Sequence, residues 1–463
     1  MTQTPLSAAE TVEAVTAGRT SPGAVVADAL ARIQARNAEL NAFSVVLGDQ
    51  AREQARFLEL GQDGSPGPLY GVPVAIKEEL DVAGCVTTFG GRANTTPVAE
   101  DGEVVRRLRA AGAVVVGKTH MPEFGAYPYT ESVAYGYTRN PWDTTRQPGG
   151  SSGGTAAAVA SGMVPVGMGG DGGGSIRVPA SYCGLFGLKP QRGRVTTSPM
   201  EHLWWALGTV GPLTRTVLDS AIVYDVIGGS LPTDRWQAGE VGSFTEAARR
   251  DPGRLRIGWS TTPVVKGVRC HADNAAAVRE TARVLGGLGH DVREIKPRYP
   301  DPTLAFVPQF LAGIRTEADT MQHYRRLEPR TRETYRLGTW VRPSVIDFAL
   351  EQTEKISAKA NRVFDEVDVL LTPTTANRPP ALGVLDGVGT VRSVLRSFPA
   401  IAYVALWNIA GNPACSVPSG RGSDGLPVGC QLVGPTDGEE RLLSLAAQLE
   451  QARPWTLVAP SLS

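Results

Sequence analysis

The sequence predicts an α/β protein, and three observations carry that prediction. Short apolar runs rich in β-branched residues recur along the chain. Segments with apolar positions at helical spacing lie between them. The 463 residues, 42% hydrophobic and 20% charged, suffice for a large buried core.

Residues 7–60 read as helices, with Ser7 as an N-cap and apolar positions at helical spacing over Ala24–Ile33. Gly71–Lys77 (GVPVAIK) reads as a short buried strand opened by Gly and Pro. Val104–Ala111 follows as a helix and Ala113–Val116 as a second buried strand. Ala156–Ser161 is a helix of small residues, and Val164–Met168 is a strand or extended segment. Leu255–Trp259 is a further strand, followed by a helix over His271–Leu288. Val367–Thr372 and Ala414–Val417 are the last two strand expectations. Gln62–Pro68 and Leu231–Gly242 read as surface loops rather than linkers, so one continuous domain over residues 1–463 is expected.

Basic and acidic side chains number 46 each, and this balance points neither to nucleic acid nor to an acidic membrane surface. The arginines at 325, 326, 330, 332 and 336 are interleaved with glutamates and read as a solvated helix face. The opening residues MTQTPLSAAE lack the basic-then-apolar pattern of a signal peptide, and no apolar run approaches ~18 residues. Five scattered cysteines without a CxxC suggest buried free thiols in a reducing, cytoplasmic compartment. The five histidines show no metal spacing.

Three familiar motifs match formally and fail on context. Gly112–Thr119 fits a P-loop, but its interior Ala-Val-Val-Val is a strand, whereas a phosphate cradle needs flexible backbone. GxGxxG at Gly167, Gly169 and Gly172 lies in glycine-dense sequence with no acidic ribose partner at the usual interval. GxSxG fits twice, centred on Ser151 and Ser152, but the preceding Asn140–Pro148 is too rich in turn residues for the required strand. No histidine follows His323 to complete a hydrolase triad.

Two Gly/Ser clusters remain, Gly149–Gly154 and Gly172–Ser175. Serines wrapped in glycine place hydroxyls beside bare backbone that a substrate can approach. A partner base is offered by Lys77, at the end of the apolar run Val72–Ile76. A lysine there either snorkels to the surface or is buried, and burial disfavours the ammonium and frees an amine to act as a base. With no histidine suited to the task, a Ser–Lys arrangement is the natural alternative.

The blocks GVPVAIKEE, GGSSGG and DGGGSIRVPASYCGLFGLKP resemble the core of the amidase signature family. The spacing agrees, with 74 residues from Lys77 to Ser151 and 24 more to Ser175. GKTHMPEFG, TRNPWD, GPLTRTVLD, NIAGNPACSVPSG and GLPVGCQLVGP extend the resemblance over almost the whole chain. It implies a single large mixed β-sheet covered by helices on both faces, with the signature core at about residues 70–220. It further implies Ser175 as acyl nucleophile, Ser151 as a bridging serine after a cis Gly150–Ser151 peptide, and Lys77 as general base. The reaction implied is amide hydrolysis to a carboxylate and ammonia or an amine, without metal or organic cofactor.

Oxyanion donors are expected from the N–H groups of Gly172, Gly173, Gly174 and Ser175. Asp171 and Arg177 are expected to brace the nucleophile turn, and Ser152 to support Ser151 by hydrogen bonding or to be a simple turn serine. Gly170 and Gly172 stand where the family usually carries side chains, so the loop is unusually bare, and His120 stands where Asn is common. Met200–Leu207, with Phe124, Tyr127 and Tyr182, either walls an apolar acyl pocket for aryl or medium apolar amides or belongs to the core. The expected partner is a small-molecule amide, with no nucleic acid and no membrane; a homodimer is left open. The rival within the family is the glutamine-hydrolysing A subunit of a tRNA amidotransferase, against which stands the lack of an acidic residue in Phe398–Leu406.

Overall fold

The structure, a computed structural model, describes residues 4–61 and 66–460, so the loop expected at Gln62–Pro68 lies partly outside the described residues. In chain order its strands are β1 (Phe43–Val46), β2 (Pro73–Lys77), β3 (Val114–Thr119), β4 (Glu131–Ser132), β5 (Gly136–Tyr137), β6 (Val166–Gly170), β7 (Phe186–Lys189), β8 (Val210–Thr214), β9 (Arg256–Trp259), β10 (Asp291–Glu294), β11 (Val369–Pro373), β12 (Ala414–Arg421) and β13 (Pro427–Val433). Eleven of them form one mixed sheet in the order β1-β3-β2-β6-β8-β7-β12-β13-β11-β9-β10, and β4 and β5 form a separate ribbon.

Both faces of the sheet are covered. Val74 and Ile76 of β2 pack into one apolar cluster and Ala75 into another on the opposite face, which is the alternation a strand imposes. The second cluster contains the helix Gly153–Ala160, all of whose residues are buried. Its small side chains let it lie close against β6, where a Cβ on Gly167 would overlap the Thr155 methyl.

The neighbouring strands β3, β2 and β6 run parallel, so Thr119, Lys77 and Gly170 end at the same edge of the sheet. Ligand sites in α/β sheets favour the crevice at such carboxyl ends.

Ser7 caps the helix Ala8–Thr16 in a reciprocal arrangement with Glu10, and Ala24–Ile33 falls within the helix Pro22–Leu40. The stretch 7–60 is not wholly helical, however, because β1 lies inside it. Strands β7, β8, β10 and β13 escaped the pattern reading: the first two are short and contain Gly or Pro, and β10 is a polar edge strand, Asp-Val-Arg-Glu. β3 continues through Gly117, Lys118 and Thr119, which explains the false P-loop. Lys118 is buried, donating to Val86 O and Thr87 Oγ1, 3.5 Å from the Glu78 carboxylate. Gly117 serves close packing, because a Cβ there would overlap the Val45 carbonyl of β1.

Arg325, Arg326 and Arg336 are exposed as expected, while Arg330 is half-buried with its guanidinium 5.2 Å from the Tyr127 ring centroid. All five cysteines are free, and four are buried. Among the described residues no helix is long and apolar enough to cross a membrane, and no His/Cys/Asp/Glu group has the geometry of a metal site.

Candidate active site

Lys77 leaves β2 into the crevice with 1% of its surface exposed. Its Nζ lies 2.8 Å from Ser151 Oγ, 3.5 Å from the Gly170 carbonyl and 3.0 Å from Glu79 Oε1. The lysine is therefore buried and partnered rather than snorkelling. The Gly150–Ser151 peptide is cis, and Ser151 stands just ahead of the helix Gly153–Ala160. Gly125 clears the space beside this hydroxyl: it has φ +66°, and a Cβ there would sit 3.0 Å from Ser151 Oγ.

Ser175 follows β6 by one turn and is 8% exposed. A buried polar frame holds that turn. The Asp171 carboxylate accepts from the backbone N–H groups of Gly174 at 2.6 Å and Ile176 at 3.1 Å. It also accepts from Arg177 Nε and Nη2, each at 3.0 Å, and from Asn408 Nδ2 at 2.8 Å. Arg177 reaches on to Gln431 Oε1 at 2.8 Å, the Val404 carbonyl at 3.0 Å and Asn408 Oδ1 at 2.6 Å. Burial alone would raise the Asp171 pKa, but the Arg177 charge and these hydrogen bonds hold it well below the usual carboxylate range. The expected bracing by Asp171 and Arg177 is present, extended by Asn408 and Gln431, which the sequence reading did not assign. Nothing local marks those two, since they arrive from more than 200 residues away.

Two expectations need correcting. The Gly174 N–H is taken by Asp171, so it is not free to donate to a substrate. The N–H groups of Gly172, Gly173 and Ser175 have no protein acceptor among the described residues. Ser152 makes no hydrogen bond to Ser151: its Oγ donates to the Gly170 carbonyl at 3.2 Å and its N–H to the Ser175 carbonyl at 3.3 Å. It thus ties the first glycine–serine cluster to the end of β6 and to the second cluster. Gly169 gives that hydroxyl room, since a Cβ there would lie 2.7 Å from it.

Three apolar side chains line the bare loop. Trp204 lies over Gly172, Phe306 over Gly173 and Val404 over Gly174, where a Cβ on each glycine would meet them. Trp204 is 7% exposed, and its Nε1 donates to Glu317 Oε1 at 3.0 Å. Phe124 and Leu207 share its cluster, whereas Tyr127 and Tyr182 belong to a separate one with Val404. The wall expected from Met200–Leu207, Phe124, Tyr127 and Tyr182 is therefore divided, with Trp204 against Gly172 and Leu203 against Gly170. Trp205 packs against the Trp204 cluster and stacks on His202, with ring centroids 4.4 Å apart.

Glu79 and Glu317 also went unassigned from sequence. Glu79 lies in the turn after β2, closed by the Leu80 N–H donating to the Lys77 carbonyl at 3.0 Å, and this turn brings its carboxylate beside Lys77. Burial first, and then the Glu79 charge, push the Glu317 carboxyl well above the ordinary carboxylate range.

A mixed eleven-stranded sheet wrapped by helices matches the solved structures of amidase signature enzymes, which are amide C–N hydrolases. The chain belongs to this family: the family model described as Amidase matches residues 24–443. It is 45% identical to AmiB2 of Mycobacterium tuberculosis over 437 residues, covering 94% of this chain and 93% of that one. It is 37% identical over 458 residues to the A subunit of the glutamyl-tRNA(Gln) amidotransferase of Synechococcus sp., with 92% of each covered. The solved structure of 6-aminohexanoate cyclic dimer hydrolase complexed with substrate superposes with a TM-score of 0.91 at 32% identity, covering 97% of both chains.

Proposed function

We propose that this chain hydrolyses carboxylic amides through an acyl-enzyme on Ser175, with Ser151 and Lys77 relaying the proton. The observation that carries the reading is the 2.8 Å contact between buried Lys77 Nζ and Ser151 Oγ. Lys77 takes the Ser151 proton as Ser151 takes that of Ser175, and Ser175 Oγ attacks the amide carbonyl. The developing oxyanion is met by the N–H groups of Gly172, Gly173 and Ser175, held in place because Asp171 fixes the backbone on either side. The proton returns to the leaving nitrogen, ammonia or an amine departs, and water hydrolyses the ester by the reverse relay. Ser152 acts as a backbone tie between the two serine clusters, and Tyr127 as outer packing behind Val404.

Trp204, Phe306 and Val404 around the glycine loop support a preference for apolar or aryl amides. Ammonia release from a panel of aryl, alkyl and glutamine amides tests this, and a glutamine kcat/KM equal to that of the best aromatic amide contradicts it.

The likeness to an amidotransferase component favours a second reading, a glutaminase that works within an assembly. Purified alone, the chain hydrolyses amides under the first reading and is inactive under the second.

A further inference from the structure

A cavity of about 140 Å³ opens at the edge of the sheet remote from the catalytic crevice. Ala414 of β12 pairs with Lys189 of β7, at the edge where Gly170 of β6 pairs with Val210 of β8. Arg421 ends β12 seven residues further along, roughly 23 Å away. Trp142, Trp455, Pro418 and Pro427 give the cavity apolar walls, and Arg421 and Arg453 bring two guanidinium groups to it. A cavity of about 150 Å³ admits one benzene ring, so the space suits a ring-sized ligand.

The two guanidiniums are held in place but not neutralised. Arg421 stacks on Trp142, its guanidinium carbon 4.7 Å from the ring centroid, which fixes its plane. Trp142 is itself anchored, its Nε1 donating to the Cys183 carbonyl at 2.8 Å. Gly420, at φ +105°, makes room for Arg453, since a Cβ there would lie 2.7 Å from Nη2. Among the described residues, Arg421 reaches only Thr456 Oγ1, at 3.4 Å, and Arg453 Nη1 is buried without an acceptor. The acidic groups nearby are engaged elsewhere. Asp424, in the turn between β12 and β13, pairs with Arg378 at 2.8 Å, and Glu280 pairs with Arg283 at 2.7 Å. A charged donor left without an acceptor is unfavourable, and an anion placed against it relieves that. Guanidinium forks match a carboxylate in shape as well as in charge.

We propose that this cavity is a second ligand site, which takes a small carboxylate carried on a flat apolar ring: Arg421 and Arg453 meet the carboxylate, and the tryptophans and prolines enclose the ring. The site is independent of the roles given to Lys77, Ser151 and Ser175. The segment after Thr456 leaves the cavity, running on to Ala459, whose N–H donates to the Ala160 carbonyl at 2.8 Å.

Calorimetric titration of the full chain tests this with three probes: benzoate, acetophenone, which has a similar shape without the charge, and inorganic phosphate, which has charge without the ring. Saturable benzoate binding is expected, with acetophenone and phosphate each at least about tenfold weaker. Arg421→Met is expected to weaken benzoate about tenfold, and the double variant Arg421→Met, Arg453→Met to abolish its binding. Absence of saturable benzoate binding overturns the proposal. So does binding that is unchanged in the double variant, which places benzoate elsewhere, the catalytic crevice included. Acetophenone as tight as benzoate overturns the role of the arginines, and phosphate as tight overturns that of the ring. If the double variant does not fold, Arg421→Met alone decides, because Arg421 is exposed and its side chain bonds only to Thr456. Wild-type benzoate affinity in that variant overturns the proposal equally.

Discussion

Replacing Asp171 by Asn removes one charge from the centre of the frame behind the nucleophile. Asp171 and Arg177 are both wholly buried, so the variant leaves a guanidinium without its counter-charge in the interior. The cost of breaking such a pair from one side is about 3–5 kcal/mol. The geometry places the loss at the full value, because the two carboxylate oxygens share six N–H donors. Gly174 N, Arg177 Nη2 and Asn408 Nδ2 converge on Oδ1, and Ile176 N, Arg177 N and Arg177 Nε on Oδ2. Whichever oxygen becomes an amide nitrogen, three donors then face a donor. Against a total stability of ~5–15 kcal/mol, the loss is large. Urea unfolding followed by circular dichroism reads it directly, as a lower midpoint at unchanged slope. Because Gly174 and Ile176 flank Ser175, kcat is expected to fall about 100-fold in protein that remains folded. Adding Arg177→Met removes the stranded charge and is expected to restore part of the stability but not the activity. A single Asp171→Asn variant within about 1 kcal/mol of wild type would mean that the buried pair does not hold this turn.

Three further outcomes follow from the same geometry. Gly172→Ala places a Cβ 2.9 Å from the Trp204 ring, so kcat/KM for aromatic amides is expected to fall more than that for acetamide; steady-state kinetics on the two substrates checks this. Burial lowers the His120 pKa from 6.5 to about 4, so as pH falls through that window the unfolded chain gains a proton that the folded one refuses. Stability is expected to decline from pH 6.5 to 4 by up to about 3 kcal/mol, and His120→Asn should remove that slope in denaturant titrations. Glu123 behaves oppositely: burial raises its pKa from 4.5 to about 7, so its contribution is present at low pH and lost between pH 4.5 and 7, and Glu123→Gln should flatten that part of the curve.

What the sequence made legible was whatever is written locally. Lys77 at the end of an apolar run, the two glycine–serine clusters and the small-residue helix between them can be read from neighbours in the chain, and the structure brings them together. Strands survived where β-branched residues crowd, as in β3, and were lost where Gly or Pro interrupts them, as in β8, or where an edge strand is polar, as in β10. The second layer of the site was illegible for another reason. Asn408, Gln431, Glu317 and Phe306 are brought to the glycine loop by long-range packing, and no local spacing announces them. Gly174 shows a different limit: its N–H in a glycine run looks like a free oxyanion donor, yet Asp171, only three residues earlier, turns back to accept it at 2.6 Å. The bareness at Gly170 acquires a physical reason only in three dimensions, where Glu79 fills the gap.

Under the proposed mechanism Ser175 carries the acyl group. Mixing the enzyme with an activated aryl amide, quenching with acid within the first turnover and mapping the adduct by peptide mass spectrometry tests it most directly. An acyl mass is expected on the peptide bearing Ser175 and is expected to be absent from Ser175→Ala. An adduct on Ser151 or any other residue, or undiminished turnover in Ser175→Ala, contradicts it.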